Sequence, residues 1–241
     1  MPTQSSSLSL VIPAYNEAAR LPAFFASIVA FHREHPLLMN EIILVDDGST
    51  DATSDIARQY AAQLPLKLNR LSVNQGKGAA VQAGVKQAGG DYIVFIDADG
   101  ATDISELPKM ISALQSSDIA IGNRWLPGSH TERHSLLRRL SGWAYRRYMS
   151  LFGLGQIDTM CGFKGYRQPV AQTLFTELIE PRWLFDTEVV FKAVRAGYKI
   201  TNFPIHWESK DGSKLSTFTL FKSALGIYPL IAKIKKSSQL N

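Results

Sequence analysis

The sequence contains little cysteine and no long uncharged apolar run. Its one cysteine, Cys161, excludes an internal disulfide bond and suits a reducing compartment. The longest apolar candidate, residues 218–232, is interrupted by Lys222 and Pro229, and spanning a bilayer takes roughly 18–20 apolar residues. Residues 2–10 are polar and Ser-rich, so no secretory signal peptide is predicted. We therefore expect a cytoplasmic protein without a membrane-spanning helix.

Neither sign of charge dominates, and the histidines show no metal-binding spacing. The 26 Lys and Arg residues exceed the 21 Asp and Glu residues, which gives a net charge of +5. This modest excess suits an anionic partner such as a nucleotide, a lipid phosphate, a membrane surface or a nucleic acid. His130, His134 and His206 do not have the spacing of a metal site, so we interpret them as ordinary surface or core residues.

Segments typical of strands alternate with segments of helical periodicity up to residue 124. This alternation predicts right-handed βαβ units, and hence an α/β fold with a mostly parallel central sheet and flanking helices. A capping box at residues 103–106 is predicted to begin one helix. The predicted strands are residues 8–14, 41–45, 66–71, 91–96 and 118–122, with a later strand at 199–207 and a first helix at 18–32.

Unusual polar residues follow the predicted strands at their carboxyl ends, where ligands of open parallel sheets bind. Asp97 and Asp99 end the most apolar strand, and two carboxylates so close repel each other unless a cation joins them. Their oxygens suit Mg²⁺ or Mn²⁺, which bind substrate phosphates as well. A lone Asp-x-Asp is more often a turn, but Tyr15, Glu17, Asp46, Asp47, Asn123 and Arg124 also fall at strand ends.

The second half of the chain is basic and aromatic. Apolar residues from Leu136 to Leu151 repeat at helical spacing among arginines, which predicts a basic amphipathic helix. A final helix at residues 220–236 ends in Lys233, Lys235 and Lys236. Such helices often lie on anionic membrane surfaces, but a solvated cationic face is an equally good interpretation of the helix. A nucleic-acid-binding domain ranks last, because it gives the strand-end carboxylates no role.

The ordered set of motifs resembles family 2 glycosyltransferases of the GT-A fold, over nearly the whole chain. Within that family it is most similar to the dolichyl-phosphate and polyprenyl-phosphate sugar synthases, and among these to the dolichyl-phosphate β-glucosyltransferase branch. The motifs that carry the resemblance are residues 11–17, 45–51, 74–78, 97–102, 158–164, 183–188 and 211–214.

The resemblance implies an inverting, metal-dependent transfer of a sugar from a nucleotide diphosphate to a polyprenyl phosphate of the dolichyl or undecaprenyl type. UDP-glucose is the favoured donor. The enzyme is expected to be peripheral on the cytoplasmic membrane face, with one domain over residues 1–241. Residues 8–124 would bind the nucleotide sugar, and residues 125–241 would face the acceptor and the membrane.

The resemblance also assigns roles to individual residues. Asp97 and Asp99 would form the metal site, in which Asp99 holds the metal directly and Asp97 acts through water or on the ribose. The acceptor phosphate would meet Arg124, Arg138, Ser213 and Lys214. The catalytic candidates are Asp99, Arg124, Arg138, Asp186 and Glu188. For Asp186 and Glu188, a role in positioning the acceptor is preferred to a role as a base, and the plainer interpretation is that both are acids favoured at a helix N-terminus. The donor contacts would be Pro13, Ala14, Tyr15, Glu17, Asp46, Asp47, Lys77, Asp97, Ala98 and Asp99.

One position separates two branches of the family. The mannosyl branch usually has a metal-holding Gln two residues after the second Asp, whereas this chain has Ala101. This difference argues against GDP-mannose, although a GDP-mannose-dependent polyprenyl-phosphate mannosyltransferase stays open as an alternative. A family member that glycosylates a soluble glycan and a non-catalytic sugar-nucleotide binder are further alternatives.

Overall fold

The computed structural model describes residues 7–132, 136–210 and 217–237. The strands are β1 (Leu8–Ala14), β2 (Glu41–Asp46), β3 (Leu66–Arg70), β4 (Tyr92–Ile96), β5 (Ile119–Asn123), β6 (His130–Glu132), β7 (Phe163–Arg167), β8 (Ile200–Pro204) and β9 (His206–Glu208). The helices are α1 (Leu21–Glu34), α2 (Thr53–Tyr60), α3 (Lys77–Gln87), α4 (Leu107–Ser116), α5 (Leu136–Met149), α6 (Gln168–Thr176), α7 (Phe185–Arg195) and α8 (Thr217–Ser237).

The strands form a seven-stranded sheet in the order β3-β2-β1-β4-β7-β5-β8. All neighbours run parallel except β7, which lies antiparallel between β4 and β5. The predicted α/β fold with a mostly parallel sheet is therefore confirmed. The sequence analysis missed β7, because Lys164 and Gly165 interrupt its short apolar run.

Both faces of the sheet are covered, which explains why its central strands are apolar throughout. One core lies between the sheet and helices α1 and α4, and includes Phe25, Ile28 and Met110. The other lies between the sheet and helices α3, α6, α7 and α8, and includes Phe95 and Phe185. The fold consequently leaves the carboxyl edge of the parallel strands as the place where polar side chains collect.

Three local predictions need correction. The first helix begins at Leu21 rather than residue 18, because the Glu17 carbonyl first accepts from the amides of Arg20 and Leu21. Asp103 does cap a turn by accepting from the Ser105 amide, but that turn is a 3-10 helix, and the carboxylate of Glu106 accepts from the amide of His206 instead of completing a capping box.

The predicted strand at residues 199–207 is divided into two. Its first part, β8, lies at the edge of the main sheet, whereas β9 pairs with β6 in a separate two-stranded sheet. The amide of Glu208 in β9 also donates to the carbonyl of Ala101, so the small sheet is attached to the loop after β4. Among the described helices, none combines the length and the apolar character that crossing a bilayer requires.

Helix α3 packs so closely on the sheet that Gly84 has no room for a side chain. A Cβ there would lie 2.3 Å from Val11 Cγ1 and 3.2 Å from Val45 Cγ2. We expect Gly84→Ala to lower the free energy of unfolding by about 1–3 kcal/mol, because overpacking forces β1 and α3 apart. Urea unfolding measures this change.

The matched control is Gly89→Ala, just after the helix, where the nearest atom to a new Cβ lies 3.7 Å away. Its unfolding free energy should stay close to that of the parent. Equal stability of the two variants would contradict the close packing of α3 on β1.

Candidate active site

A cavity of about 340 Å³ opens at the carboxyl ends of β1, β2 and β4. All the residues predicted to contact the donor line it, with the exception of Asp46. The lining also includes two arginines and a tryptophan to which the sequence analysis gave no role, namely Arg20, Arg182 and Trp183. The full lining comprises Pro13, Ala14, Tyr15, Glu17, Arg20, Asp47, Asn74, Gly76, Lys77, Ala80, Asp97, Ala98, Asp99, Arg182 and Trp183.

The turn after β1 is held in place by the segment after β2. The amide of Asn16 donates to Ser49 Oγ at 2.9 Å, and the amide of Glu17 donates to Thr53 Oγ1 at 2.8 Å. Glu17 in turn holds the Arg20 guanidinium through two bonds of 2.7 Å. These contacts bring the predicted residue Glu17 and the unpredicted Arg20 to one wall of the cavity.

Asp97 and Asp99 line the same cavity. Burial and the negative charge of Asp97 both raise the pKa of Asp99, although its Oδ1 accepts from the Ala101 amide at 3.0 Å. Two carboxylates in this situation are stabilised by a shared cation, and their hard oxygens suit Mg²⁺ or Mn²⁺. The residues present therefore fit a divalent metal, which Asp97 and Asp99 would hold.

The Asp97 carboxylate lies directly against the backbone of Gly162. The Asp97 amide donates to the Gly162 carbonyl at 3.0 Å, and a Cβ on residue 162 would lie 2.0 Å from Asp97 Oδ2. Only glycine allows this approach, so the segment just before β7 fixes the position of Asp97.

Asp47 shapes the Gly-rich turn before α3. Its carboxylate accepts from the Asn74 side chain at 3.0 Å and from the amides of Gln75 and Gly76 at 2.7 and 2.8 Å. Asp47 lines the cavity, but these bonds already use most of its lone pairs. Its predicted role in reading the base stays a prediction.

The N-terminus of α3 is occupied by the chain's own carbonyls. The amides of Gly78 and Ala79 donate to the carbonyls of Arg182 and Pro181. Gly76 has φ of +109°, and a Cβ there would lie 2.7 Å from Arg182 Cγ. A phosphate in the cavity would thus meet side chains such as Lys77 rather than the free amides of a helix end.

Asp46 does not reach the cavity, in contrast to its predicted contact with the nucleotide. It is fully buried, and its carboxylate accepts from the Ser49 amide at 2.8 Å and from the Ser54 hydroxyl. Arg70 lies 3.7 Å away. These contacts hold the start of α2 beneath the site, which is a structural role.

Lys77 lies between two carboxylates. Its Nζ is 2.6 Å from Asp97 Oδ1 and 3.9 Å from Asp186 Oδ2. Burial alone would lower the pKa of Lys77, but the charges of Asp97 and Asp186 outweigh it and raise the pKa above its ordinary value. Lys77 therefore carries a positive charge on the wall of the cavity.

Asp186 is buried behind Lys77 and does not line the cavity. Its Oδ1 pairs at 2.7 Å with Lys164, whose side chain is fully buried and also donates to the carbonyls of Thr159 and Cys161. Burial raises the pKa of Asp186, and the two lysines oppose this effect. The sequence analysis gave Lys164 no role, although a lysine inside an apolar segment is a signal. A lysine is almost never fully buried without a partner, so its position indicates a buried carboxylate nearby.

Glu188 turns away from the cavity. It is fully buried, and it accepts from the amides of Ile179 and Glu180 and pairs with Lys192 at 2.6 Å. These contacts tie Glu188 to the loop before α7, and it does not line the cavity with Asp99. Its predicted role toward the acceptor stays a prediction.

Arg124 is held outside the cavity by Asp158. The two side chains form bonds of 2.7 and 2.8 Å, and the guanidinium lies 5.1 Å from the ring centroid of Trp207. The predicted contact of Arg124 with a phosphate therefore stays a prediction. The side chain of Arg138 and residues Ser213 and Lys214 lie outside the described residues.

The chain is similar in sequence to curated proteins of three organisms. The dolichyl-phosphate β-glucosyltransferases of Saccharomyces cerevisiae and Homo sapiens are each 33% identical to the chain; the matches cover 87% and 88% of this chain and 69% and 70% of those proteins. That of Drosophila melanogaster is 35% identical, with 89% of this chain and 71% of the relative covered.

The solved structures of glucosyl-3-phosphoglycerate synthase from Mycobacterium tuberculosis share the fold. The complex with Mn²⁺, UDP and glucosyl-3-phosphoglycerate has a TM-score of 0.71 at 19% identity, and covers 95% of this chain and 80% of that one. The complex with Mn²⁺ and UDP-glucose has a TM-score of 0.70 at 18% identity, with 95% and 79% covered.

The sheet order and the cavity at its carboxyl edge agree with the predicted GT-A fold, which these solved structures share. The family model described as glycosyl transferase family 2 matches residues 9–175. The chain belongs to glycosyl transferase family 2.

The buried Arg124–Asp158 pair predicts a pH-dependent stability. Burial alone would raise the pKa of Asp158, but the charge and hydrogen bonds of Arg124 hold it below its ordinary value. Such a group stabilises the fold above its unfolded pKa of about 3.9, and this contribution disappears as the pH falls through the lower folded pKa. We expect Asp158→Asn to cost about 3–5 kcal/mol at pH 7, because Arg124 is left buried and unpaired.

Urea unfolding at pH 7 and at acidic pH measures this effect, and the difference between parent and variant should narrow as the pH falls below 4. The control is Asp55→Asn, which breaks the exposed Arg58–Asp55 pair and should change stability very little. A variant Asp158→Asn as stable as the parent at pH 7 would show that the pair is not needed.

Proposed function

We propose that the protein transfers glucose from UDP-glucose to a polyprenyl phosphate with inversion at the anomeric carbon. The observation that carries the proposal is the single cavity that joins the carboxylate pair, Lys77 and the donor motif after β1. The identity of about one third to dolichyl-phosphate β-glucosyltransferases over nearly nine-tenths of the chain supports the glucosyl group and the lipid acceptor.

The donor diphosphate would lie beside Asp97, Asp99 and Lys77. A divalent metal held by Asp97 and Asp99 would supply charge stabilisation for the departing diphosphate. Lys77 is already desolvated on one side, since the rings of Phe95, Trp183 and Phe185 each have centroids 5.8 Å from its Nζ. An ammonium in such surroundings attracts a phosphate oxygen more strongly than one in water does.

The structure around Ala101 favours the glucosyl branch over the mannosyl alternative. Ala101 is buried, and its carbonyl accepts from the Glu208 amide at 2.8 Å. The methyl side chain of Ala101 cannot bind a metal, in contrast to the Gln of the mannosyl branch, and its carbonyl already accepts a hydrogen bond. Mg²⁺ or Mn²⁺ would rely on Asp97, Asp99 and the donor oxygens.

The acceptor chemistry needs no strong base. A phosphate monoester already carries a charged oxygen at neutral pH, so positioning and electrostatics suffice for its attack on the sugar. Asp186 suits this reaction, because it is ion-paired behind Lys77 rather than exposed to an incoming hydroxyl. We propose that Asp186 positions Lys77 and is not a general base.

A lipid acceptor requires contact with a membrane, and helices α5 and α8 offer a surface for it. Leu140, Trp143, Leu225 and Tyr228 are each more than 60% exposed, and the two helices pack against each other. We name these four side chains the apolar surface. Exposed cations follow it at the ends of both helices, namely Arg147, Lys233, Lys235 and Lys236.

This combination of apolar anchors and cations fits the anionic surface of a membrane. Arg146 does not belong to this set, because it donates to the Gly155 carbonyl and lies over the Trp125 ring. Helix α5 also reaches the site, since Tyr145 and Thr187 share a hydrogen bond of 3.1 Å beside Asp186. We place the protein as a peripheral enzyme on the cytoplasmic membrane face, which the lone buried Cys161 suits.

The donor assignment predicts metal-dependent binding of UDP-glucose. Calorimetric titration with Mn²⁺ should show binding of UDP-glucose and not of GDP-mannose, and Asp99→Asn should weaken it at least tenfold by removing one of two metal ligands. With purified polyprenyl phosphate, the parent should form a lipid-linked glucose. Preference for GDP-mannose would replace the glucosyl proposal by the mannosyl one, and transfer only to a soluble glycan would overturn the lipid acceptor.

The membrane surface predicts binding to anionic vesicles. Co-sedimentation with phosphatidylcholine vesicles that contain phosphatidylglycerol should weaken about tenfold or more for Trp143→Glu and for Tyr228→Glu, because each loses an apolar anchor worth roughly 1.5 kcal/mol and gains a repelled charge. The control is Leu37→Glu, at a residue that is 79% exposed but outside the apolar surface. Undiminished binding of both variants would refute this surface as the membrane contact.

A further inference from the structure

The Asp97 carboxylate already pairs with a cation of the chain itself. The ammonium of Lys77 lies 2.6 Å from Asp97 Oδ1, and only 15% of the Lys77 side chain is exposed. A divalent metal held by Asp97 and Asp99 would compete with this ammonium for the same carboxylate. Because two positive charges on one carboxylate repel each other, a metal at Asp97 weakens the pairing of Asp97 with Lys77.

Lys77 cannot simply retreat into water. Three aromatic rings surround its Nζ, and Asp186 Oδ2, at 3.9 Å, is its second carboxylate. Asp186 is itself fixed by Lys164 at 2.7 Å. If the ammonium leaves Asp97, it stays within reach of Asp186 and of the cavity, where another anion has to replace the carboxylate it lost.

We propose that Lys77 is a displaceable counter-ion, which neutralises Asp97 in the free enzyme and moves to the diphosphate when donor and metal bind. The proposal rests on the proposed function only in taking a nucleoside diphosphate and a divalent cation as ligands. The metal takes the place of the ammonium at Asp97, and a diphosphate oxygen takes the place of Asp97 at the ammonium. Each ligand thereby compensates the contact that the other disrupts.

This exchange couples the two binding events. Metal alone must displace Lys77 without offering it a new anion, so it binds weakly to the free enzyme. Nucleotide alone meets an ammonium still held by Asp97. Because coupling of binding free energies is reciprocal, metal strengthens nucleotide binding by the same factor by which nucleotide strengthens metal binding.

The test is the affinity for Mn²⁺ without nucleotide, measured by calorimetry on the parent and on Lys77→Met. We expect Lys77→Met to bind Mn²⁺ roughly tenfold more tightly, because the competing cation is gone. The same variant should bind UDP at saturating Mn²⁺ more weakly than the parent. If Lys77 had only a structural or a phosphate-binding role, Lys77→Met would not bind Mn²⁺ more tightly than the parent in the absence of nucleotide.

The matched control is Arg182→Met, which removes another positive charge from the wall of the same cavity. Within the described residues, the ion pairs of Asp97 include Lys77 and not Arg182. A general loss of positive charge would tighten Mn²⁺ binding equally in both variants, and that result would overturn the proposal. So would a Lys77→Met variant that unfolds at the parent's temperature and binds Mn²⁺ no more tightly.

A measurement on the parent protein covers the case in which Lys77→Met does not fold. Selective ¹⁵N labelling of lysine gives an Nζ resonance for Lys77, assigned by its absence in Lys77→Arg. Addition of Mg²⁺ and UDP together should shift this resonance, and an unchanged signal would refute the displacement. Failure of the parent to bind any uridine nucleotide would instead refute the proposed function, while the comparison of Mn²⁺ affinities would still decide the role of Lys77.

Discussion

Buried ion pairs around Lys77 hold the site together, and the arrangement of the other parts depends on them. The charges alternate from Lys164 to Asp186, Lys77 and Asp97, and the four residues come from β7, α7, α3 and the end of β4. Buried ion pairs contribute little net stability, since desolvation offsets their attraction. Their value here is geometric, because a shift of any of the four segments would take a partner from one of the three more deeply buried charges, Lys164, Asp186 or Lys77.

The polar backbone groups beside the cavity are also paired with partners within the chain. The backbone at Gly162 touches Asp97, and the carbonyls of Pro181 and Arg182 accept from the amides that begin α3. The backbone groups next to the cavity are thus already hydrogen-bonded, and charged side chains line the cavity itself. Such a site needs little reorganisation when charge develops on a departing diphosphate, which is the property that electrostatic catalysis requires.

The pattern of strands and helices allowed the α/β fold and the location of the cavity to be predicted. Both depend on local properties of the sequence, namely the hydrophobic periodicity of each segment and the polar residues that follow each strand. Side-chain partners were harder to predict, since they depend on distant segments. Asp46 and Glu188 were predicted as site residues because they are acidic and lie within motifs. In the structure, each accepts hydrogen bonds from backbone amides close to it in the sequence. Arg20 was missed because its hydrogen bonds with Glu17 depend on the conformation of the turn after β1. Strand β7 was missed because Lys164 makes the sequence of a buried strand look polar.

The position of β7 has a consequence for how the protein is made. This strand, from the second half of the chain, lies between β4 and β5 of the first half, and β8 borders β5 on the other side. While the chain emerges from the ribosome, β4 and β5 therefore have open edges until residues 163–204 have been synthesised. Unpaired strand edges attract other chains. The protein would therefore depend most on protection from aggregation while only its first half has been synthesised.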